Sequence, residues 1–314
     1  MKVLITGGAG FLGSHITDKL LAARNSVIVY DNLSSGSKGR ICHNLKNPLF
    51  KFVQGDLLNF EDTAKVVRGC DMVFHMASNP DISRGITETD LDLRLGVLTL
   101  YNILESMRLA DVGRIFFPSG SGVYGDVGLT STDERFGPLL PVSLYGASKL
   151  ACEALISAFC HMFDIQAWVG RLANIVGARQ THGVVLDFLK KLKRNASELD
   201  ILGDGSQSKS YVHARDCVEA IMLIVNRSVG RVNTFNIAGP DCLDVTSIAK
   251  IVTGVMGLHN VRVRYSGGDR GWKGDVPRVR MDTSKIVALG WKCSMTSSEA
   301  VEHAARELLR ELES

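Results

Sequence analysis

The chain has few prolines, few aromatic residues and no closely paired cysteines. Of its 314 residues only 7 are proline and 7% are aromatic, against 31 glycines without a repeat. A collagen-like repeat and a proline-rich disordered tract are therefore excluded. The seven cysteines (Cys42, Cys70, Cys152, Cys160, Cys217, Cys242, Cys293) are odd in number, scattered and never spaced CxxC. That spacing argues against a disulfide framework and against a zinc site, so no metal is expected and a reducing cytoplasm is. No run of five or six like charges occurs, and the formal charge is only +3. The densest basic stretch, Lys190-Lys191-Leu192-Lys193-Arg194, reads as the solvated face of a helix, and no nucleic acid is expected as a partner. No apolar run approaches the roughly 18 residues that could cross a bilayer. Met1–Leu12 does not qualify as a secretion leader, because Gly7, Gly8 and Gly10 interrupt its apolar stretch. A membrane is not expected either.

What remains is ordinary globular material, 45% hydrophobic and 22% charged, long enough for two domains of about 150 residues each. Lys2–Thr6 (KVLIT) is a short β-branched run ending in glycines, which reads as a buried parallel strand. Helical spacing follows over Ser14–Ala23, then further strands at Ser26–Tyr30, Lys51–Val53 and Asp71–His75. Two long amphipathic segments, Leu91–Leu109 and Leu144–Phe163, flank a strand at Arg114–Phe117, and later strands are read at Gln166–Val169 and Thr234–Ala238. Strands alternating with helices predict an α/β fold, a doubly wound parallel sheet built from right-handed crossovers. The alternation breaks near 176–213 and 240–314. These stretches are assigned to a smaller interleaved C-terminal substrate lobe, beside a dinucleotide-binding domain of residues 1–175 completed by 214–239.

The stretch Thr6-Gly7-Gly8-Ala9-Gly10-Phe11-Leu12-Gly13 spaces Gly7, Gly10 and Gly13 by three between a strand and a helix. A pyrophosphate needs small residues there. One glycine turns the chain, one lets backbone approach the phosphates, and one lets helix and strand pack closely. The helix starting near Phe11 and Leu12 then offers free N–H groups and a partial positive charge to an anion. Asp31 ends the second strand, 18 residues after Gly13. A carboxylate there accepts from both adenosine-ribose hydroxyls and repels a 2′-phosphate, which favours NAD over NADP. Asn32, Ser35 and Gly36 follow it as further cofactor contacts. Asp56 and Leu57 after the third strand, and Met76, Ala77 and Ser78 after the fourth, complete the expected dinucleotide site.

Tyr145-Gly146-Ala147-Ser148-Lys149 places a phenol and an ammonium at i and i+4 on one helix face. A neighbouring ammonium stabilises phenolate, which can take an alcohol proton while hydride leaves the same carbon.

Together these motifs resemble the extended short-chain dehydrogenase/reductases with a Rossmann fold, and within them the NAD-dependent sugar-nucleotide epimerases and dehydratases that include UDP-glucose 4-epimerase. The resemblance runs along essentially the whole chain. It continues through His75-Met76-Ala77, Val123-Tyr124-Gly125, Arg171-Leu172-Ala173-Asn174, Gly203-Asp204-Gly205-Ser206-Gln207, Lys209-Ser210-Tyr211-Val212-His213 and Gly274-Asp275-Val276-Pro277. It implies that Asn174 meets a sugar diphosphate, Lys209 a phosphate and Asp275 the nucleoside ribose, with Arg270 nearby in Arg270-Gly271-Trp272-Lys273. It also implies a 4-epimerase acting on a UDP-hexose of the glucose/galactose type. Tyr145 would take the 4-hydroxyl proton as C4 hydride passes to NAD, and the 4-keto sugar would turn over before hydride returns. Homodimers are implied too, through a four-helix bundle formed by Leu91–Leu109 and Leu144–Phe163 of two copies.

Two positions depart from the family pattern. Where a Ser or Thr normally binds the reacting hydroxyl, three residues before Val-Tyr-Gly, this chain has Gly120, flanked by Ser119 and Ser121. Where the family tends to carry an Asn, it has Gly96. Ser121, Ser119 or a water is expected in the missing role, at a cost of about 2–4 kcal/mol of transition-state stabilisation. A 4,6-dehydratase would carry Asp-Glu where Ser121-Gly122 stand, and a UDP-glucuronate decarboxylase a Glu at Gly122. Both stay as alternatives, as does a non-catalytic protein that binds NAD and sugar nucleotide.

Overall fold

In the computed structural model, which describes residues 1–313, the chain begins as the alternation predicts. β1 (Lys2–Thr6), α1 (Phe11–Ala22), β2 (Ser26–Asp31), β3 (Phe50–Gln54), α2 (Phe60–Val67), β4 (Met72–His75), α3 (Thr99–Leu109), β5 (Arg114–Gly120), a short β6 (Ser131–Thr132), α4 (Leu144–Phe163) and β7 (Gln166–Leu172) follow one another. The remaining elements are β8 (Asn174–Val176), α5 (Val184–Arg194), β9 (Glu198–Ile201), β10 (Ser208–Lys209), β11 (Tyr211–His213), α6 (Ala214–Arg227), β12 (Val232–Ile237), β13 (Leu243–Asp244), α7 (Val245–Val255), β14 (Arg262–Tyr265), β15 (Arg280–Met281), α8 (Ser284–Ala288) and α9 (Ser297–Glu313).

Seven strands form one sheet in the order β12-β7-β5-β4-β1-β2-β3, with every pairing parallel. Val3, Ile5, Val27 and Val29 face one layer with α1 and α6, while Leu4, Val73, Ile115 and Phe117 face the other with α3 and α4. Apolar residues on both faces are what a sheet covered on both sides requires. Strand order reverses between β1 and β4, and a crevice opens there beyond the carboxyl ends of the strands. The shorter strands pair outside this sheet: β8 with β11, β9 with β14, β10 with β13 and β6 with β15. A third apolar cluster joins α5, α7 and α9 around Val185, Phe188, Ile248, Val252, Ala304 and Leu308.

Three elements differ most from the sequence reading. β5 and β7 run on to Gly120 and Leu172, because parallel pairing continues through Ser119↔Arg171 and Gly120↔Leu172 after the apolar run has ended. The segment read as one helix over Leu91–Leu109 starts as a π turn, Leu93–Leu98, before α3 begins. The wide turn loosens local carbonyls, and the Thr99 hydroxyl donates to those of Leu95 and Gly96 at 2.8 and 3.1 Å. Among the described residues no helix is long and apolar enough to cross a membrane.

Sheet and helices are tied near the crevice by a buried ion pair. Arg171 on β7 donates to Glu153 of α4 through Nη2 at 2.7 Å and Nε at 3.1 Å, and through Nη1 to the Tyr124 hydroxyl at 3.0 Å. Both charged side chains are almost wholly buried, 6% and 11% exposed. Glu153→Ala strands the guanidinium without its counter-ion and is expected to cost about 3–5 kcal/mol. Urea denaturation checks this, and a loss below 1 kcal/mol would contradict it.

Candidate functional site

The glycine loop lies flat across the end of β1. Gly7 has a φ of +64°, and a β-carbon on it would come within 2.7 Å of the Ala77 backbone at the end of β4. A β-carbon on Gly13 would sit 2.3 Å from the Gly7 carbonyl oxygen, so α1 packs directly on the loop. No side chain caps α1 at Gly10, which leaves its first N–H groups for a ligand anion. Gly7, Gly10, Phe11, Leu12 and Gly13 all line a cavity of about 810 Å³ at the carboxyl edge of the sheet. This cradle fits a dinucleotide pyrophosphate.

Asp31 is on the same wall. Its Oδ2 accepts from Ala9 N at 3.0 Å and its Oδ1 from Leu33 N at 2.8 Å, which leaves each oxygen a lone pair for a ribose hydroxyl. Burial raises its carboxyl above the usual range, against those two N–H bonds and the charge of Arg40. Asn32, Ser35, Asp56, Leu57, Met76, Ala77 and Ser78 also line the cavity. Gly36 does not. It stands behind Asp31, where a β-carbon would come 2.9 Å from Oδ1, and so supports the carboxylate by leaving it room. Asp56 is at once a turn former, accepting from Leu58 N at 2.9 Å, and a wall residue.

Tyr145 and Lys149 stand on the first turns of α4, whose start is capped by the Ser143 hydroxyl accepting from Gly146 N at 3.0 Å. Lys149 is 4% exposed, donates to the Pro118 carbonyl at 2.9 Å, and lies 5.4 Å from the centre of the Tyr145 ring. His75 beside them is fully buried and bonded to the Thr6 hydroxyl at 2.8 Å. Burial, helped by the Lys149 charge, brings its imidazole down to about 3, so it is neutral.

Gly120 has an extended backbone, and a β-carbon there would meet only the Leu172 carbonyl, at 3.8 Å. Ser119 and Ser121 both belong to the wall. The Ser119 Oγ, however, is closed off from solvent and makes no hydrogen bond, whereas Ser121 stays half-buried on the turn after β5. Neighbouring strand residues face opposite ways, which separates Ser119 from the opening at Gly120.

At the opposite end Asn174, Lys209 and Asp275 line the cavity. Lys209 Nζ lies 2.6 Å from Asp275 Oδ1, an ion pair the sequence did not suggest, and Gly271 N donates to Asp275 Oδ2 at 3.2 Å. Arg270, expected to touch substrate, is not on the wall. A carboxylate on a distant loop claims it: Nη2 pairs with Asp126 at 2.6 Å and Nη1 donates to the Asp275 carbonyl at 2.8 Å. It positions Asp275 instead. Sequence reasoning gave no role to Gln180, His182, Gln207, Tyr211 or Trp272, which also line the cavity. Gln207 and Tyr211 fall within quoted motifs, while nothing in the sequence marks Gln180 or His182. Tyr211 is buried against Asn174 and Asp275, and burial, with the Asp275 charge, raises its phenol well above the usual value.

The model of the NAD dependent epimerase/dehydratase family matches residues 3–238. A Methanocaldococcus jannaschii protein provisionally named a UDP-glucose 4-epimerase is 31% identical over 306 residues, covering 96% of each chain. The UDP-glucose 4-epimerase of Mycolicibacterium smegmatis is 28% identical, also over 96% of each. A crystal structure of a UDP-galactose 4-epimerase superposes with a TM-score of 0.89 at 36% identity, covering 99% of this chain and 100% of that one.

Gly13→Ala is expected to weaken NAD binding at least about a hundredfold, since its β-carbon meets backbone that cannot yield. Titration of purified protein with NAD, followed by fluorescence or calorimetry, measures it. Unchanged affinity would remove the loop from the cofactor site.

Proposed function

Because the chain belongs to the NAD dependent epimerase/dehydratase family, we propose that it is an NAD-dependent sugar-nucleotide 4-epimerase acting on a UDP-hexose of the glucose/galactose type through a transient 4-keto sugar. The observation that carries this reading is Tyr145 and Lys149 on one cavity wall with the glycine loop and Asp31. Residues 1–175 with 214–239 hold the dinucleotide, and residues 176–213 with 240–314 hold the sugar nucleotide. Gly7, Gly10 and Gly13 cradle the pyrophosphate, and Asp31 accepts from the adenosine ribose. Bound NAD supplies a hydride acceptor and donor at the sugar's C4.

The chain's own part is proton movement and placement. Tyr145, as phenolate, takes the 4-hydroxyl proton and later returns it. Lys149, held by the Pro118 carbonyl, keeps a positive charge near the phenolate and reaches the nicotinamide ribose. Asn174 and Lys209 hold the diphosphate and Asp275 the nucleoside ribose, so the ketosugar can turn about a fixed anchor. Of the two hydroxyls that flank Gly120, that of Ser121 takes the place of the missing Ser or Thr, since Ser121 is half-buried on the cavity wall and the Ser119 Oγ is closed off from solvent. The dehydratase and decarboxylase alternatives are disfavoured because Ser121-Gly122 offer no carboxylate to move water or assist carboxyl loss.

The same reading includes a homodimer. Tyr101, Phe159 and Phe163 form a ladder of rings across α3 and α4, with centroids 6.4 and 5.2 Å apart. Tyr101 within it, and Leu109 and Met162 on the same two helices, are 45%, 58% and 70% exposed, large apolar side chains of the kind an interface between copies would cover. Seven free thiols support a reducing cytoplasm as its compartment.

Tyr145→Phe is expected to slow UDP-hexose interconversion at least about a hundredfold while UDP still binds. Gly120→Ser is expected to raise turnover about tenfold or more, because the wall has room for the hydroxyl. NMR of the anomeric signals follows both, and a Tyr145→Phe rate near wild type would remove the proposed base. No conversion of any sugar nucleotide by wild-type protein with bound NAD would favour the non-catalytic reading. Sedimentation is expected to give twice the chain mass, and Met162→Glu with Tyr101→Glu the single mass. A monomeric wild type would end the dimer proposal.

A further inference from the structure

Three side chains outside the cavity converge where α9 crosses the end of β11. His213 ends β11 and is 3% exposed, while His303 and Glu307 stand one turn apart on α9. His213 Nε2 lies 3.1 Å from Glu307 Oε2, and His303 Nδ1 lies 3.4 Å from Glu307 Oε1. The two imidazoles meet edge to face, their centroids 4.9 Å apart. One donor atom from each of the three residues falls within 4.8 Å of the other two.

Hydrogen bonding accounts for His213 and Glu307, which are bonded to one another, but not for His303. His303 Nδ1 is closed off from solvent, yet its approach to Glu307 is too far off line to be a hydrogen bond, and it has no other partner. Glu307 is anchored on one side, where its Oε2 accepts from the Ala178 N–H at 2.8 Å, and its Oε1 faces His303. Two imidazole nitrogens and one carboxylate, on a strand end and an i, i+4 helix pair, are a donor set that borderline divalent ions prefer.

We propose that His213 Nε2, His303 Nδ1 and Glu307 bind a divalent transition-metal ion of the zinc type, with water in the open position. Zinc bonds to such donors are about 2.0–2.2 Å long, so the wider gaps must close by roughly an ångström. The His303 side chain, 42% exposed, is free enough to do so. His213 must carry its proton on Nδ1, which gives up the long 3.3 Å contact from Arg215 N and costs about tenfold in affinity. The ion would clamp α9 to β11, the strand that carries the cavity residue Tyr211. It takes no part in chemistry at Tyr145.

The test uses untagged full-length protein stripped with a chelator and titrated with Co(II). One equivalent is expected to bind with the intense visible absorption of a four-coordinate ion, in the micromolar range or tighter, and Zn(II) is expected to displace it. His303→Ala and Glu307→Gln should each weaken binding at least about thirtyfold while circular dichroism and turnover stay as in wild type. The helix tolerates alanine at this partly exposed position. Weak binding with a six-coordinate spectrum, or affinity unchanged by His303→Ala, would overturn the site. The readout needs no substrate, so its failure leaves the proposed epimerase untouched, and the reverse holds as well.

Discussion

One buried ammonium organises the candidate site. Lys149 is 4% exposed, and a charge so placed is costly unless partners replace its water. Its partners are the Pro118 carbonyl at 2.9 Å and the faces of Phe117 and Tyr145, whose ring centres lie 4.7 and 5.4 Å away. These contacts fix the first turns of α4 against the end of β5. Backbone contact reinforces them, since a β-carbon on Gly146 would lie only 2.6 Å from the Gly122 carbonyl. Tyr145 therefore has little freedom to leave the cavity wall. His75 nearby is held neutral, so its ring adds no second positive charge there.

Most of the central sheet was legible because its inner strands are short β-branched or aromatic runs with both faces largely buried, as in KVLIT and SVIVY. α4 was legible to the residue, since Ser143 caps it and its apolar face is continuous from Leu144 to Phe163. The π turn was not, because Leu93–Leu98 keeps a helix-like composition and only the hydroxyl of Thr99 betrays the wider turn. Strand ends were set too early at β5 and β7, where pairing outlasts apolarity. Arg270 was misplaced for a different reason: the charge that claims it, Asp126, lies 144 positions away in the chain. Local sequence carries no trace of such a partner. No closely spaced cysteines mark a metal in this sequence, and a histidine at a strand end is joined to a His-x-x-x-Glu helix face 90 residues away only by the fold.

The polar end of the cavity has its own economy of charge. Lys209 and Asp275 neutralise one another at 2.6 Å, with side chains 24% and 9% exposed. Under the proposed function, a diphosphate reaching Lys209 exchanges one anionic partner for another, and the positive charge is never left alone. Asp275 is then freed toward hydroxyl donors, yet it does not drift, because Gly271 N and Arg270 hold its carboxylate and carbonyl separately. The pair thus keeps both charges partnered before the nucleotide arrives, and each has a partner on the nucleotide afterwards.

The two glycines that depart from the family pattern differ in physical kind. Gly96 is pressed against α4, where a β-carbon would come 3.2 Å from the Ser148 Oγ, inside a π turn that already departs from helix geometry. A side chain there would need the Ser148 hydroxyl to give way by a few tenths of an ångström. Gly120 has no such contact: its backbone is extended, any residue could adopt it, and 3.8 Å separates the missing β-carbon from its nearest neighbour. Nothing in the fold requires a glycine at that point. The space belongs to the cavity that Gly120 shares with Tyr145, so its consequence falls on what binds there, on the room offered to the sugar ring and on how the reacting hydroxyl is held.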